Sequence, residues 1–269
     1  MRSAIIADIH GNLAAFSAVL NDIARREDVA EIWSLGDIVG YGPDPHECLV
    51  LLRQCNHIGI AGNHDLAAIG KADLAIFNPD AAAACRWTAQ QLSVEDKEYL
   101  EGLPLTVQKE DLTLVHGSRR EPAWEYILST GVALENSAFF SSQVCLVGHS
   151  HSPAVFKQDG DTASLMRFRT NVGILLGQNR LIINPGSVGQ PRDGDPRASY
   201  VIYDSDIGMF RLYRVEYDVE ATQRRMVKAG LPLRLVSRNV GAIESLQGLY
   251  QTCCKCMRNF EQRFPSGHL

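Results

Sequence analysis

Five short motifs carry side chains that can bind metal ions, and each motif follows a short apolar run. In chain order they are Asp8-Ile9-His10, Gly36-Asp37, Gly62-Asn63-His64-Asp65, His116-Gly117 and Gly148-His149-Ser150-His151. They combine carboxylates, a carboxamide and several imidazoles, a set that suits Mn²⁺, Zn²⁺, iron and related ions. The set contains no cysteine, which argues against a structural zinc site. Each motif alone is typical of an ordinary turn, but together they indicate a metal site.

The apolar runs before the motifs predict the elements that position them. Residues 3–7, 32–35 and 58–61 are predicted as strands separated by helical patterns. This alternation is typical of a layered α/β fold with ligands at the carboxyl ends of strands. Further strands are predicted at residues 112–115, 144–147, 154–156, 181–183, 200–203 and 210–215. Two packed sheets are therefore expected.

Composition and charge limit the classes of function. The chain has 269 residues, of which 45% are hydrophobic and 21% charged, as in globular proteins. The net charge of −5 argues against a general nucleic-acid binder, which needs a basic face. No apolar run has the length of a membrane helix. The seven cysteines are scattered and the first residues do not resemble an export signal, so we expect reduced thiols and a cytoplasmic location.

The five motifs resemble the pattern of the calcineurin-like metallophosphoesterase superfamily: D-x-H, G-D, G-N-H-[DE], a lone His and G-H-x-H. The match is best to the bacterial phosphodiesterase branch, which also has a turn similar to Asn184-Pro185-Gly186-Ser187. The resemblance implies an α/β fold, a four-layer α/β/β/α sandwich of two mixed sheets. We expect a helical insertion and a helical C-terminal segment to be added to it.

The resemblance also implies two divalent metal ions, with manganese expected first and iron, zinc, nickel or cobalt as alternatives. The first ion would be bound by Asp8, His10, Asp37 and His151. The second ion would be bound by Asp37, Asn63, His116 and His149. Asp37 would then bridge two ions about 3.5–4 Å apart, which can share a hydroxide as the nucleophile.

Other residues are candidates for contacts around these ions. In the family, His64 is not a metal ligand but lies beside the leaving group, so it is the candidate proton donor. Asp65 either keeps His64 charged or caps a helix. Asn12 either orients a ligand or caps the helix that follows it. Arg119 either contacts the substrate phosphate or is a surface charge.

The expected function is a metal-dependent phosphoesterase, in particular a phosphodiesterase that hydrolyses a small nucleotide-type phosphate ester. Protein serine/threonine phosphatases carry G-D-x-V-D-R-G and R-G-N-H-E, whose arginines grip the terminal phosphate of a monoester. Here Gly40, Tyr41 and Ala61 leave both arginines absent. Their absence disfavours a phosphoprotein phosphatase.

Three alternatives remain open. A dinucleoside polyphosphate hydrolase could stack bases on Phe77, Trp87 or Trp124, although core packing also explains these residues. A non-catalytic protein-interaction scaffold is known in this fold, but such proteins have lost parts of the site that are present here. A nuclease is disfavoured by the acidic charge.

The chain is expected to divide into two parts. Residues 1–217 would form the metallophosphoesterase domain, with the helical insertion at residues 66–102. Residues 218–269 would form a basic helical extension packed on the same domain, either as a solvated face or as a lid over an anionic substrate. The expected partner is a small-molecule phosphate ester, without a membrane and without nucleic acid. Cysteines 253, 254 and 256 are interpreted as a thiol-rich helix face.

Overall fold

A computed structural model describes residues 1–26 and 28–238 of the chain. The predictions for residues 239–269, including those for the three clustered cysteines, lie outside the described residues. None of the helices in the described part has the length and apolar character needed to cross a membrane.

In the described part of the chain, twelve strands form two six-stranded sheets. In chain order the strands are β1 (Arg2–Ile6), β2 (Val29–Ser34), β3 (His57–Gly59), β4 (Thr106–Lys109), β5 (Leu112–Val115), β6 (Val144–Leu146), β7 (Ala154–Asp159), β8 (Thr162–Met166), β9 (Gly173–Leu175), β10 (Arg180–Asn184), β11 (Ala198–Asp204) and β12 (Met209–Val215). The first sheet has the order β3-β2-β1-β11-β12-β9 and the second β4-β5-β6-β10-β7-β8. Parallel pairs join β1, β2 and β3 in the first sheet and β5, β6 and β10 in the second. Both sheets also contain antiparallel pairs, so the prediction of two mixed sheets is confirmed.

Eight α-helices lie in the described part of the chain. In chain order they are α1 (Leu13–Ala24), α2 (Pro45–Arg53), α3 (Asn63–Ala68), α4 (Pro79–Gln91), α5 (Val94–Gly102), α6 (Thr130–Ser137), α7 (Val219–Lys228) and α8 (Leu233–Arg238). Three of them, α3, α4 and α5, fall in the region of the expected helical insertion.

Alternating side chains along the strands create the layers. On β1, Ile6 packs outward against Phe16 of α1, while Ile5 faces the second sheet. On β6, Leu146 faces the first sheet, while Cys145 packs outward beside α6. Because side chains alternate along each strand, one apolar layer lies between the two sheets and one lies on the outer face of each sheet. This arrangement confirms the predicted α/β/β/α architecture.

The sequence did not predict β4, β8 and β9, and all three lie at sheet edges. An edge strand is covered on fewer sides, so its residues need not alternate between apolar and polar. On β8, for example, Thr162, Ser164 and Leu165 are exposed. The missing periodicity therefore follows from where these strands lie.

The insertion and the C-terminal helices meet around Tyr41, in the loop after β2. Met226 of α7 and Leu235 of α8 are buried in one apolar cluster with Tyr41 and with Ala84 of α4. Arg225 of α7 also forms an ion pair with Asp44. The described part of the C-terminal segment thus packs beside the loops that carry the predicted metal ligands.

Candidate metal centre

All the predicted ligands lie at the carboxyl ends of parallel strands. Asp8 follows β1, Asp37 follows β2 and Asn63 follows β3 in the first sheet, whereas His116 follows β5 and His149 follows β6 in the second. The parallel direction within each sheet brings these loops to one edge, as the α/β pattern requires. The centre is therefore assembled from both sheets.

The backbone turns sharply at five of these residues. Their φ angles lie between 49° and 66°, in the left-handed region, and the residues are Asp8, His10, Asp37, His149 and His151. A side chain other than glycine costs about 1–2 kcal/mol in this conformation. Such costs concentrate at functional sites, where the fold holds side chains in place. The strain here coincides with the predicted ligands.

The side chains form two groups that share Asp37. In the first group the possible ligand atoms all lie within 4.8 Å of one another, and the residues are Asp8, His10, Asp37 and His151. In the second group the same holds for Asp37, His116 and His149. Asn63 adjoins the second group, because its Oδ1 lies 3.3 Å from Nε2 of His116. All these residues are buried.

Hydrogen bonds orient His10 and His151 towards each other. Nδ1 of His10 lies 3.1 Å from the Val39 carbonyl oxygen, and Nδ1 of His151 lies 2.7 Å from the Gln190 carbonyl oxygen. A carbonyl oxygen only accepts, so each Nδ1 carries the proton and each Nε2 presents a lone pair. The two Nε2 atoms are 3.0 Å apart. Two lone pairs at this distance repel unless a cation lies between them.

His116 and His149 are oriented in the same way. Nδ1 of His116 lies 2.7 Å from the Leu35 carbonyl oxygen, and Nε2 of His149 lies 3.2 Å from the Trp124 carbonyl oxygen. The remaining nitrogens, Nε2 of His116 and Nδ1 of His149, are 3.1 Å apart. Oδ2 of Asp8 is buried and has no hydrogen-bond partner within the described part of the chain. This convergence of acceptor atoms fits divalent metal ions.

The pKa values of the histidine and aspartate side chains in the centre are shifted by burial and by the closeness of these side chains to one another. Burial holds the pKa values of His10, His149 and His151 well below the usual histidine value, so these imidazoles are neutral. Burial raises the pKa of Asp8 to about 8, with a further contribution from Asp37. Metal ions bind neutral imidazole and ionised carboxylate, so binding here would displace protons.

His116 behaves differently from the other imidazoles. Burial would lower the pKa of His116, but the carboxylates of Asp37 and Asp8 outweigh it and raise the pKa to about 9. Burial would likewise raise the pKa of Asp37, but His116, His64 and His10 hold it well below its usual value. A proton on His116 therefore balances the Asp37 charge in the protein alone.

His64 lies beside the two groups, and its ring contacts a cysteine. Its backbone N–H donates to Oδ1 of Asp37 at 2.8 Å, and its ring centroid is 4.8 Å from that of His10. Nδ1 of His64 lies 3.3 Å from Sγ of Cys85 on α4. Burial lowers the pKa of His64 to about 4 and raises the pKa of the Cys85 thiol. No sequence motif indicates this pair, because Cys85 reaches His64 only through the packing of α4.

Asp65 and Asn12 both form hydrogen bonds with the backbone of nearby loops. Asp65 accepts hydrogen bonds from the backbone N–H groups of Ile38, Val39 and Gly62 at 2.9, 3.1 and 3.0 Å. It thus holds the loops around Asp37 and Asn63, and Cys85 contacts His64 instead. Asn12 caps α1 through the Ala15 N–H, and its amide also donates to the Gly189 carbonyl oxygen at 2.8 Å.

The arginine that adjoins the site is Arg192, which the sequence did not single out. Arg119 is exposed, whereas Arg192 is buried in the loop between β10 and β11. The positive charge of Arg192 lowers the pKa values of His10, His64 and His151. Its position depends on the path of a long loop, which no local motif predicts.

Aromatic rings border the centre on the side of His64 and His149. The Phe77 ring centroid is 5.1 Å from that of His64 and 5.7 Å from that of Trp124. Tyr126 stacks on His149 with ring centroids 3.7 Å apart. Of the aromatic residues singled out in the sequence, Phe77 and Trp124 therefore lie together near the centre, while Trp87 packs with the cluster around Tyr41.

Comparisons with known proteins agree with this geometry. The family profile described as the calcineurin-like phosphoesterase superfamily domain matches residues 1–208. The crystal structure of a metallophosphoesterase from Sphaerobacter thermophilus is 46% identical in sequence, with a TM-score of 0.80, and the match covers 90% of this chain and 98% of that chain. An uncharacterized protein of Methanocaldococcus jannaschii is 39% identical over 234 residues, which are 85% of this chain and 93% of the relative.

A further similarity covers half of the chain. The symmetrical bis(5′-nucleosyl)-tetraphosphatase of Nitrosococcus oceani is 29% identical over 143 residues, which are 49% of this chain and 49% of that enzyme.

Proposed function

Because the chain belongs to the calcineurin-like phosphoesterase superfamily, we propose that it is a dinuclear metal-dependent phosphodiesterase that hydrolyses a small nucleotide-type phosphate ester. The observation that carries the proposal is the arrangement of four buried imidazoles and two buried carboxyl groups in two clusters that share Asp37. Manganese is the ion that we propose to test first.

The two groups of side chains would each hold one ion. Asp8, His10 and His151 would bind the first, and Asn63, His116 and His149 would bind the second. Asp37 would bind both, because it belongs to both groups. When bound, such a pair of ions supplies Lewis acidity and lowers the pKa of bound water towards neutrality. The buried surroundings strengthen the attraction between the site and an anionic ester.

His64 would donate a hydrogen bond to the leaving oxygen. The buried Cys85 thiol keeps its proton at neutral pH, because its pKa is raised, and it can donate that proton to Nδ1 of His64. The neutral imidazole then carries its own proton on Nε2, which has no hydrogen-bond partner among the described residues. This tautomer can donate a hydrogen bond from Nε2 to the leaving oxygen and so stabilise its developing negative charge as the P–O bond breaks, while the proton that completes the product comes from water.

The proposal is tested with metal-stripped full-length protein. Addition of Mn²⁺ should restore hydrolysis of bis(p-nitrophenyl) phosphate, with saturation at about two ions per chain. Metal content is measured by mass spectrometry beside the release of p-nitrophenolate. Turnover that is equal with and without a chelator would contradict the proposal. Metal binding without turnover of any ester would favour the interaction scaffold.

Gly40 provides a test of the position of His64. Gly40 has a φ of +89°, and a Cβ there would lie 2.6 Å from Nδ1 of His64. Gly70 has a similar φ of +78°, but a Cβ there would have nothing within 4 Å. We expect Gly40→Ala and Gly70→Ala each to lose about 1 kcal/mol of stability from backbone strain.

Only Gly40→Ala should also lose activity, by about a hundredfold, since a small misplacement of a reacting group has effects of this size. Thermal unfolding and kcat with bis(p-nitrophenyl) phosphate separate the two effects. Equal kcat values for the two variants would argue against a role for the His64 ring.

A dinucleoside polyphosphate hydrolase is a second candidate. The rings of Phe77, Trp124 and Tyr126 beside the centre could stack on bases, and a tetraphosphatase matches half of the chain. A kcat/KM for diadenosine tetraphosphate at least about a hundredfold above that for bis(p-nitrophenyl) phosphate would select this candidate, since it corresponds to about 2.7 kcal/mol of extra transition-state binding.

A further inference from the structure

We propose that Arg192 binds the phosphoryl group of the substrate, as a phosphate site built from the loop between β10 and β11. The inference rests on the proposed phosphoesterase function, and it assigns to the candidate metal centre a residue that recognises the substrate. Arg192 comes from outside the five metal-binding motifs.

The loop that carries Arg192 is tied to the ligand loops. The Asn184 amide donates to the Gly148 carbonyl oxygen at 2.6 Å, and the Ser187 hydroxyl donates to the Asp8 carbonyl oxygen at 2.9 Å. The backbone N–H of Arg192 donates to the His151 carbonyl oxygen at 3.2 Å. The backbone of Arg192 is therefore fixed beside a proposed ligand of the first ion.

The guanidinium group is held on the side of the centre where His10 and His64 lie. Its Cζ atom is 5.7 Å from the centroid of the Tyr41 ring. The Tyr41 centroid in turn is 4.6 Å from that of His10 and 4.3 Å from that of His64. Only 7% of Arg192 is exposed to solvent. A permanent positive charge is thus positioned next to the groups proposed to bind the ions and to stabilise the leaving oxygen.

Gln190 positions this charge and adds a second donor. Nη2 of Arg192 donates to Oε1 of Gln190 at 3.1 Å. Nε2 of the same amide is buried and has no acceptor among residues 1–26 and 28–238. A phosphoryl oxygen could accept from this amide as well as from the guanidinium. Arginine is well suited to such contacts, because its planar fork matches two phosphate oxygens.

Electrostatics supports an anion between Arg192 and the centre. A cation beside a site for divalent cations opposes metal binding, since like charges repel strongly where water is excluded. A bound phosphate removes this opposition by interacting favourably with both. Tyr41 occupies the position of an arginine in the serine/threonine phosphatase motif, and the ring of Tyr41 instead lies under the guanidinium of Arg192. The charge missing from that motif is therefore supplied from another loop.

The test uses two variants. Arg192→Met approximately keeps the length of the side chain but removes its charge. Arg192→Lys keeps the charge but removes the planar guanidinium group and its paired N–H donors. Arg167→Met, at an exposed arginine directly after β8, is the matched control. Binding of inorganic phosphate to the Mn²⁺-loaded full-length proteins is measured by calorimetry, and Mn²⁺ affinity is measured separately. We expect Arg192→Met to weaken phosphate binding by about ten- to a hundredfold, because a charge-assisted hydrogen bond is lost. Arg192→Lys should weaken it severalfold, and Arg167→Met should not change it.

The affinity for Mn²⁺ should not fall together with the affinity for phosphate. Removing a cation should leave Mn²⁺ binding as tight as in the wild type or tighter, whereas a merely structural residue would weaken Mn²⁺ and phosphate binding together. Parallel loss of both, or unchanged phosphate binding in Arg192→Met, would overturn the proposal. If the Met variant does not fold, phosphate binding by Arg192→Lys equal to that of the wild type would overturn it. Wild-type protein that hydrolyses no ester would count against the proposed function alone, because the calorimetry needs no turnover.

Discussion

Asp37→Asn should abolish Mn²⁺-dependent hydrolysis of bis(p-nitrophenyl) phosphate, with a loss of about a thousandfold or more in kcat/KM. Asp37 is the residue common to both groups of side chains, and its Oδ2 lies 3.5 Å from Nε2 of His10 and 3.3 Å from Nε2 of His116. The amide keeps the size of the side chain but removes its negative charge. A pair of ions contributes several kcal/mol to catalysis, and each 1.36 kcal/mol is a factor of ten.

The substitution should leave the local fold intact. Oδ1 of Asp37 accepts the backbone N–H of His64, and an asparagine Oδ1 can accept the same bond. Addition of Mn²⁺ should raise the melting temperature of the wild type but not that of Asp37→Asn, because only an ion bound to the native state stabilises it. Asp159→Asn, on a side chain that is 78% exposed, is the control and should behave like the wild type. Equal Mn²⁺-dependent turnover in Asp37→Asn would show that the bridging role is wrong.

His64→Gln should lower kcat by about 10²–10³-fold for esters with poor leaving groups, the usual cost of losing one positioned hydrogen-bond donor to a developing negative charge. The ring contacts Cys85 through Nδ1 and does not complete either group of proposed ligands. Metal content should therefore remain that of the wild type. Hydrolysis of an ester with a phenol leaving group should decline much more than that of the p-nitrophenyl ester, which departs without protonation.

The dependence on the leaving group is the decisive measurement for His64. A uniform loss across phenyl and p-nitrophenyl esters would indicate that His64 stabilises the phosphoryl oxygens rather than the leaving group. Loss of bound Mn²⁺ in His64→Gln would instead indicate a structural role. Cys85→Ala should give a smaller loss with the same leaving-group pattern, since it removes only the partner of Nδ1.

The sequence was sufficient to predict the strands that carry the ligands. Buried strands such as β5, with all four residues buried, leave a continuous apolar run that ends at the motif. The proposed ligand residues can be predicted from the sequence because each lies within a few residues of the end of such a strand. His116, for example, directly follows Val115, the last residue of β5. At these positions the local sequence pattern is enough to predict where the residue lies in the fold.

Other parts of the site depend on contacts between distant segments. Cys85 meets His64 only because α4 folds back on the loop after β3, and Arg192 reaches the centre from a loop held by Asp8 and His151. Neither residue has a motif, since any thiol on a helix or any arginine in a loop has the same local appearance. Edge strands such as β9 are not predicted from the sequence because few of their side chains are buried. Such strands therefore lack the apolar run that marks a buried strand.

The origin of the ligands in two different sheets has a mechanical consequence. Asp8, Asp37 and Asn63 belong to loops of the first sheet, whereas His116 and His149 belong to loops of the second. Two metal ions bound by ligands from both sheets would act as a crosslink between the sheets, at the edge where their apolar interface ends. Separation of the sheets would then require release of the ions, so that the resistance of the protein to unfolding would depend on the free metal concentration.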